Sequence, residues 1–536
     1  MRILRNIISR YFTHRWSSVF VLYVFLIFLA IGIGIHGDYG VSSDEPAVRK
    51  FGNDAFAYLF RGGPMPTEQD WAFFNPIVPV AMRGLELTFR LTDGADIWFL
   101  RHLVTFLLFF GTVIVFYRIA RRRFENWKLP LLGSVMFLLS PRLFAHGFYN
   151  PKDVPAMLFF TLSAWTLLRL LEKRTASRLI IHVMVTAILI SMRTFGWMMP
   201  VLAVMFLWMN GGSRSGSDIH TRPGTGTLSV IYVAVLATTL FLIWPQLWHD
   251  PVHGLLGAFL NNTSRLGGGF YFGQQISAAG VPWHYLPVWI GVTTPVVYSF
   301  CFLVGLVTIG VQSAIAPKGG CADLFYKHPV MGLALLWFVL PVLALLILPI
   351  GIFDEWRHML FLYPAFLLIA LEGLWWLLMI AKKFSEQKAR ILQWIICGVL
   401  GLQMTSTGLW MIRNHPFEYA YFSIPTRFID GNFELDYWGL SYRAGLEWIV
   451  KNDPREHINV FTVARTGKAA ADTLPLKDWN RLYFAEQFTD ADYILDNFRG
   501  SGYVHTFPEE KKVHAVVIDE LELLAIYREP LAHANH

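Results

Sequence analysis

Charged residues are scarce in this sequence, and their scarcity excludes an ordinary soluble protein. Asp, Glu, Lys and Arg make up 15% of the 536 residues, whereas 54% of the residues are hydrophobic. A soluble domain carries about 25% charged residues, so the composition predicts that lipid surrounds most of the chain. The twenty Trp and twenty Tyr residues suit the aromatic belts that form at the two membrane–water interfaces.

Cysteine is also rare, which excludes a disulfide framework and a cysteine-based metal site. Cys301, Cys321 and Cys397 are far apart and fall in or beside apolar stretches. The sequence contains no C-x-x-C, H-E-x-x-H or Walker motif, so nothing in it supports metal or nucleotide binding. We therefore expect no resident cofactor and no metal site, and we leave open whether a divalent cation assists the protein.

Long apolar stretches are abundant instead. A transmembrane helix needs about 20 mostly apolar residues, and we predict about eleven such spans. They lie near 17–35, 97–118, 129–146, 154–170, 179–193, 195–210, 227–245, 288–315, 330–350, 359–380 and 391–412. The first span follows a basic start and shows no clean small-x-small cleavage site, so we expect a retained anchor rather than a signal peptide.

The distribution of charge among the connections predicts the orientation of the chain. Alternate connections, such as "RIARRRFENWK" and "AKKFSEQKAR", are all net basic, whereas the loop 36–96 holds nine acids against five Lys or Arg. By the positive-inside rule the N-terminus lies in the cytoplasm, and an odd number of spans places the C-terminus outside. The excess of seven positive charges therefore belongs to membrane topology, and we expect no nucleic-acid partner.

Three segments are predicted to lie outside the membrane on one side. The loop 36–96 contains two plausible short helices, and the loop 246–287 is rich in Gly and aromatic residues, which suits a flexible cover over a site. The tail 413–536 contains three strand-like stretches ("HINVFTV", "ADYILDN" and "HAVVIDELELLAIY") and one helical stretch ("SYRAGLEWIV"). We therefore predict a polytopic α-helical membrane domain, 1–412, followed by a small α/β domain outside the membrane.

Charged and polar residues gather at the outer ends of the predicted spans. The candidate site residues are Asp44, Glu45, Asn150, Lys152, Asp153, Arg193, Arg357 and His358. Charged groups near a bilayer are retained mostly when they are buried in protein or line a wet cavity. Because these groups share one depth on one face, we predict a common cavity that opens to the outside.

Each candidate also has a structural interpretation. Lys152 and Asp153 could pair with each other across a turn that Pro151 and Pro155 set. Arg357 could extend to lipid headgroups, and His358 could be a packed interface residue. Arg193 is harder to explain in this way, because the two spans around it leave almost no loop.

Together, these residue types allow one kind of chemistry. Guanidinium groups bind phosphate in a bidentate manner, and a nearby carboxylate can act as a general base on a hydroxyl group. Holding a lipid-phosphate-linked sugar and an acceptor in line would supply most of the acceleration. The residues are compatible with glycosyl transfer from a lipid carrier but do not single it out.

The arrangement resembles the GT-C superfamily of polytopic glycosyltransferases. The closer likeness is to the protein O-mannosyltransferase group and to the bacterial transferases that place aminoarabinose on lipid A. The pair Asp44-Glu45 matches the acidic signature of the first outer loop in that group. Asp153 in "NPKDVP" matches a second acid before the fourth span, and Arg357 in "WRHMLFLYP" matches an arginine before an aromatic-Pro element. The likeness covers about 1–420 as architecture.

The resemblance implies a function and a role for each candidate. It implies inverting transfer of a sugar from a polyprenyl-phosphate donor to a protein, lipid A or surface glycan, outside a bacterial inner membrane. Asp44 would be the general base, and Glu45 would orient the acceptor or share that role. Arg357 and Arg193 would hold the donor phosphate with Lys152 near it. Asp153, Asn150 and His358 would shape the acceptor side.

Two other functions remain open from the sequence. A transporter or flippase of a lipid-linked glycan would bind the same ligand, but transporters tend to show internal repeats and sites near the midplane. No repeat is visible here, and the charged residues lie at one rim. A membrane scaffold whose tail recruits partners is the third possibility.

Overall fold

The computed structural model describes residues 2–65, 74–209, 224–260, 268–277, 280–315, 321–347, 351–352, 354–499 and 507–528. The α-helices are α1 (Arg2–Ile35), α2 (Glu45–Arg61), α3 (Ile77–Thr88), α4 (Gly94–Arg123), α5 (Lys128–Leu138), α6 (Pro141–Tyr149), α7 (Asp153–Glu172), α8 (Ala176–Met192), α9 (Met198–Met209), α10 (Thr225–Ile243), α11 (Pro251–Leu260), α12 (Tyr285–Thr293), α13 (Val296–Ile315), α14 (Cys321–Lys327), α15 (Pro329–Ile347), α16 (Tyr363–Ala381), α17 (Glu386–Asn414), α18 (Ser441–Asn452), α19 (Thr466–Ala471) and α20 (Leu476–Trp479). The strands are β1 (Gly268–Tyr271), β2 (Gln274–Ser277), β3 (Ile458–Thr462), β4 (Leu482–Phe484), β5 (Tyr493–Asp496), β6 (Lys512–Ile518) and β7 (Leu521–Arg528).

The helices confirm a polytopic membrane protein. Within the described residues, eight helices are long and apolar enough to cross a membrane, or up to nine if the bent pair α5–α6 forms one span. Two shorter apolar helices, Ala176–Met192 and Thr194–Met209, occupy the positions of the two predicted spans that share almost no loop. Every predicted span therefore coincides with an apolar helix or helix pair, whereas the predicted total of eleven crossings stays a prediction.

The bend between α5 and α6 positions a turn that carries candidate residues. The two helices meet at 67°, and the second begins with Pro141, which disfavours helical conformation in the preceding residue. The Ser140 hydroxyl donates to the Met136 carbonyl at 2.7 Å, so a carbonyl near the break keeps a partner. All of α6 is buried, and its end delivers Asn150 to the start of α7.

Helices α13 and α16 pack in close contact. A Cβ atom at Gly305 would lie 2.0 Å from the Ile369 carbonyl oxygen, and one at Gly373 would lie 2.1 Å from the Cys301 carbonyl oxygen. The two backbones therefore touch, which is the usual role of small residues between transmembrane helices. The first part of α16, which follows the candidate residue Arg357, is fully buried.

The loop 36–96 contains the two predicted short helices, α2 and α3. They cross closely at Gly52, where an added Cβ atom would lie 2.6 Å from the Pro79 carbonyl oxygen. The loop 246–287 contains α11 and an antiparallel hairpin of β1 and β2. The hairpin contacts the tail through a bridge between Tyr271 and Phe433. The flexible cover stays a prediction, since 261–267 and 278–279 lie outside the described residues.

The tail contains the predicted α/β structure, built on a sheet of order β4-β3-β5-β7-β6. The stretches that predicted two strands and a helix correspond to β3, β5 and α18. "HAVVIDELELLAIY" forms two antiparallel strands, β6 and β7, rather than one. The chain turns at Asp519 and Glu520, which both have positive φ angles, and without Gly, Pro or Asn this turn leaves little signal in the sequence.

Candidate functional site

Asp44 lies at the N-terminus of α2, in a loop that local hydrogen bonds define. The Glu45 carboxylate accepts a hydrogen bond from the Ser42 backbone N–H at 2.7 Å, and the Glu45 N–H donates to the Ser42 carbonyl at 3.2 Å. The Ser42 hydroxyl donates to the Tyr149 carbonyl at 2.8 Å, and the Ser43 N–H donates to the Trp438 carbonyl at 3.0 Å. The first loop is therefore fixed to both α6 and the tail.

Two cations hold the Asp44 carboxylate, one on each oxygen. Lys152 Nζ lies 3.2 Å from Oδ1, and Arg357 Nη1 donates to Oδ2 at 2.7 Å. The side chains of Asp44 and Lys152 are 18% and 28% exposed, so solvent reaches this contact. Residues from three distant parts of the sequence thus meet at the end of the helices where α1 ends and α4 and α7 begin. We call this end the Asp44 face.

Asp153 forms a second, deeper contact. Its carboxylate contacts Arg193 and accepts a hydrogen bond from Asn150 Nδ2 at 3.0 Å, and Arg357 Nη1 lies 4.0 Å away. The Asn150 side-chain oxygen accepts from the backbone N–H of Asp153 at 2.9 Å and so shapes the turn. Lys152 and Asp153 thus take different ionic partners, Asp44 and Arg193.

Arg357 is buried and central to the site. Its guanidinium donates to Asp354 at 2.9 Å as well as to Asp44, and it lies 4.7 Å from the centre of the Trp438 ring. Its side chain is 8% exposed, so it does not extend to lipid headgroups. Asp354 and Glu355 both have positive φ angles, a strained conformation for residues other than Gly that concentrates at functional sites.

The sequence did not single out Arg499, a tail residue that reaches the same cluster. Its Nη2 lies 3.3 Å from Asp354 Oδ1, and its Nη1 donates to the Ser43 hydroxyl at 3.4 Å and to the Tyr437 carbonyl. Arg499 follows strand β5, but no sequence signal places the end of that strand beside the membrane domain.

A network of buried polar residues positions Arg499. The Asp496 carboxylate accepts from the Phe498 N–H at 2.7 Å, and Phe498 has a positive φ angle. Asn497 accepts from the Tyr442 hydroxyl at 3.0 Å and donates to the Asp436 carbonyl at 2.8 Å. Because Asp496 and Asn497 are fully buried, this turn is fixed by the tail's own core.

Buried acids lie beside the cluster. Burial raises the pKa of Glu355 to about 7 against the opposing effect of Arg142, and Asp354 raises it further. Glu355 also contacts Arg142. Burial, with Asp354 nearby, raises the pKa of Glu434 well above its usual range. Glu434 therefore adds little negative charge at neutral pH, and the charge that Glu355 carries is balanced by Arg142.

The cluster itself carries a positive excess. Among the described residues that these ion pairs join, the four cations are Lys152, Arg193, Arg357 and Arg499, and the three acids are Asp44, Asp153 and Asp354. Burial tends to raise the pKa of Asp44, but Lys152 and Arg357 outweigh burial and hold that pKa well below its usual range. Asp44 is therefore ionised, and the cluster has capacity for an additional anion.

Two of the predicted residues, Glu45 and His358, are not members of this charged cluster. Glu45 is 2% exposed and lies 3.1 Å from His102 Nε2, so its side chain packs toward α4 and caps the turn. His358 follows Arg357 in a short 3₁₀ helix and is half-buried. The roles of all eight predicted residues stay predictions. Among the described residues, no group of three or more His, Cys, Asp and Glu could hold a metal ion.

Part of the sequence matches a known protein family. Residues 76–249 match the sequence profile of the family described as dolichyl-phosphate-mannose-protein mannosyltransferase. The matched range includes Asn150, Lys152, Asp153 and Arg193 but neither Asp44 nor Arg357. Among curated proteins, none matches this sequence.

Two similar solved structures come from Archaeoglobus fulgidus. One is its oligosaccharyltransferase in the apo form, with 10% identity, a TM-score of 0.47, and coverage of 88% of this chain and 65% of that protein. The other is the oligosaccharyltransferase AglB in complex with an inhibitory peptide and a dolichol-phosphate, with 10% identity, a TM-score of 0.46, and coverage of 89% and 69%. A likeness at this level carries no functional argument. The family match covers about a third of the chain and shows which family that segment resembles.

Proposed function

We propose that the protein transfers a sugar from a polyprenyl-phosphate donor to a protein, lipid or glycan acceptor at the outer face of a bacterial inner membrane. One observation carries the proposal: Asp44 lies between Lys152 and Arg357, within a cluster that has one cation in excess. A base and a phosphate site are thus adjacent, as glycosyl transfer from a lipid phosphate requires. The family match over 76–249 supports the same reaction class.

The donor phosphate would bind to the partly exposed cations. Lys152 is 28% exposed and Arg193 is 16% exposed, whereas Asp153 and Asp354 beneath them are buried. Arg357 offers a planar fork that suits a phosphate group. These residues lie where membrane-crossing helices end, which is also the depth of a lipid phosphate. The net basic connections at the opposite helix ends support an outward-facing site.

The transfer step needs one base and one leaving group. An acceptor hydroxyl oxygen attacks C1 of the sugar and gives its proton to the Asp44 carboxylate. The bond between C1 and the phosphate oxygen breaks, and its electron pair stays on the polyprenyl phosphate. Arg357 and Lys152 stabilise the charge that develops on this leaving group. Attack from the side opposite the phosphate inverts the configuration at C1.

The paired state of Asp44 gives the donor a second role. A carboxylate whose pKa is held far below its usual range is a weak base. An arriving phosphate would compete for Arg357 and Lys152, and its own negative charge would raise the pKa of Asp44. The base would thus become effective when the donor is bound, which disfavours proton transfer in the empty site.

The test is turnover of a labelled polyprenyl-phosphate sugar by purified protein, comparing wild type with Asp44→Asn. We expect release of polyprenyl phosphate to fall by about 10²–10⁴-fold, because a general base is lost. Donor binding should persist or tighten, since Asn no longer competes for the two cations. The matched control is Asp54→Asn, another acid of the first loop, whose partner is the exposed Lys50 at 3.2 Å.

Two results would contradict the proposal. Unchanged turnover in Asp44→Asn would show that Asp44 is not the general base. A wild-type protein that moves the donor across a vesicle membrane without cleaving it would instead identify a flippase.

A further inference from the structure

A second cationic cluster lies in the first loop, around Glu86. This carboxylate is fully buried and accepts from Arg101 at 2.6 Å and from Arg83 at 2.8 Å. Arg49 Nε lies 3.7 Å from the same carboxylate. Three helices, α2, α3 and α4, therefore each contribute one arginine to a single acid. We call these four residues the Glu86 cluster.

The Glu86 cluster has more positive charge than its acid can balance. Arg101 is 2% exposed and forms the buried base of the cluster. The side chains of Arg49 and Arg83 are 30% and 24% exposed, so solvent reaches part of each, although Arg49 Nε is buried. Among the described residues, three guanidinium charges therefore share one buried carboxylate.

Trp98 lies between the Glu86 cluster and the tail. Arg49 lies 5.6 Å from the centre of the Trp98 ring. On another side of that ring, the indole N–H donates to Asp472 of the tail at 3.4 Å.

Exposed apolar side chains on and beside α2 and α3 favour a lipid-facing surface for these helices. Phe60 and Ile77, on α2 and α3, are 66% and 36% exposed, and Phe89, immediately after α3, is 61% exposed. The apolar helix α4 begins at Gly94. Short helices that combine exposed apolar side chains with basic residues are typical of membrane interfaces.

We propose that Arg49 and Arg83 bind the phosphate of an anionic phospholipid headgroup. This site is distinct from the Asp44 cluster and goes beyond the proposed sugar transfer. The buried Glu86 and Arg101 fix the two exposed arginines, while the lipid phosphate supplies the second anion. Because Arg49 lies on α2, whose N-terminus carries Asp44, a bound headgroup would also steady the helix that presents Asp44.

The experiment measures lipid binding by native mass spectrometry of the full-length, delipidated protein. Phosphatidylglycerol, phosphatidylcholine and inorganic phosphate are added separately at equal concentration. We expect wild type to prefer phosphatidylglycerol, and Arg49→Gln/Arg83→Gln to lose about fivefold affinity for each arginine removed. The matched control is Lys50→Gln/Arg61→Gln, which removes two charges from α2 outside the cluster.

A single substitution, Arg49→Gln, tests the proposal with less disturbance of the fold than the double variant. Arg49→Gln removes the 3.7 Å contact with Glu86 and the contact with the Trp98 ring, but it leaves the hydrogen bonds of Glu86 to Arg83 and Arg101 intact. It should still lower phosphatidylglycerol binding by about fivefold. Equal binding of both phospholipids by wild type, or unchanged binding in Arg49→Gln, would overturn the proposal. Inorganic phosphate that binds and competes as well as phosphatidylglycerol would overturn the lipid assignment. None of these readouts depends on sugar transfer, so either proposal can fail alone.

Discussion

At the residue scale, the site is defined by carboxylates that share cations. Arg357 contacts both Asp44 and Asp354, and Asp354 also contacts Arg499. Arg499 thus balances part of the negative charge of Asp354. Arg357 is then less strongly attracted to Asp354 and can hold Asp44 or a phosphate. We therefore regard Arg499 as a positioning residue that acts through Asp354.

Substitution of Arg499 should weaken the donor site. In Arg499→Met, Asp354 would draw Arg357 toward itself, so the KM for the donor should rise by about tenfold. Arg499→Lys should restore part of this loss, because it keeps the charge but not the fork. The measurement is donor KM and kcat in the turnover assay.

Arg443 provides the control for tail docking. It also joins the tail to the first loop, by donating to the Gly37 and Tyr39 carbonyls at 2.5 and 2.9 Å, but its own acid partner is Glu447 on the same helix. Arg443→Met should change stability and leave donor KM near the wild-type value. An equal rise of the donor KM in Arg499→Met and Arg443→Met would show that Arg499 only holds the tail in place.

At the element scale, hydropathy predicted where helices occur but not how they pack. Lipid forces backbone groups to bond within a helix, so long apolar stretches become helices whatever their neighbours. The contact of α13 with α16 depends on Gly305 and Gly373, which no hydropathy pattern distinguishes from other glycines. The break at Pro141 was likewise absent from the predicted span 129–146.

The glycine contact can be tested by adding one methyl group. Gly373→Ala should destabilise the protein by about 1–3 kcal/mol, because the new Cβ atom overpacks a backbone contact. Gly310→Ala, on α13, is the control, since its added Cβ atom meets nothing within 4 Å. Thermal unfolding of the detergent-purified variants measures the difference. Equal melting temperatures for both variants would contradict the close packing.

The candidate site was only partly predictable from the sequence. Asp44, Lys152, Asp153 and Arg357 could be selected because each is a charged residue at the end of an apolar stretch. Their pairing depends on the arrangement of helices in space. Arg499 lies in a polar tail where charged residues are common, so nothing in its own surroundings marks it. The side chain of Glu45 packs beside His102, a contact that the sequence did not predict.

At the scale of the whole molecule, the tail is tied to the membrane domain beside the site. Tyr39 donates to Glu418 at 2.9 Å, and His415 lies 3.0 Å from Asp38 and 2.7 Å from Glu418. With Trp438 against Arg357, these contacts unite the first loop, the end of α17 and the tail. The site therefore belongs to the folded whole rather than to the helical domain alone.

The most direct test of the central claim is native mass spectrometry of the purified protein after addition of a polyprenyl-phosphate sugar. The Asp44 face should retain one donor molecule in wild type and in Asp44→Asn. Arg357→Met and Lys152→Met should lose it, because each removes a cation that faces the phosphate. A wild-type protein that retains no donor, or an Arg357→Met variant that binds it as tightly as wild type, would contradict the account.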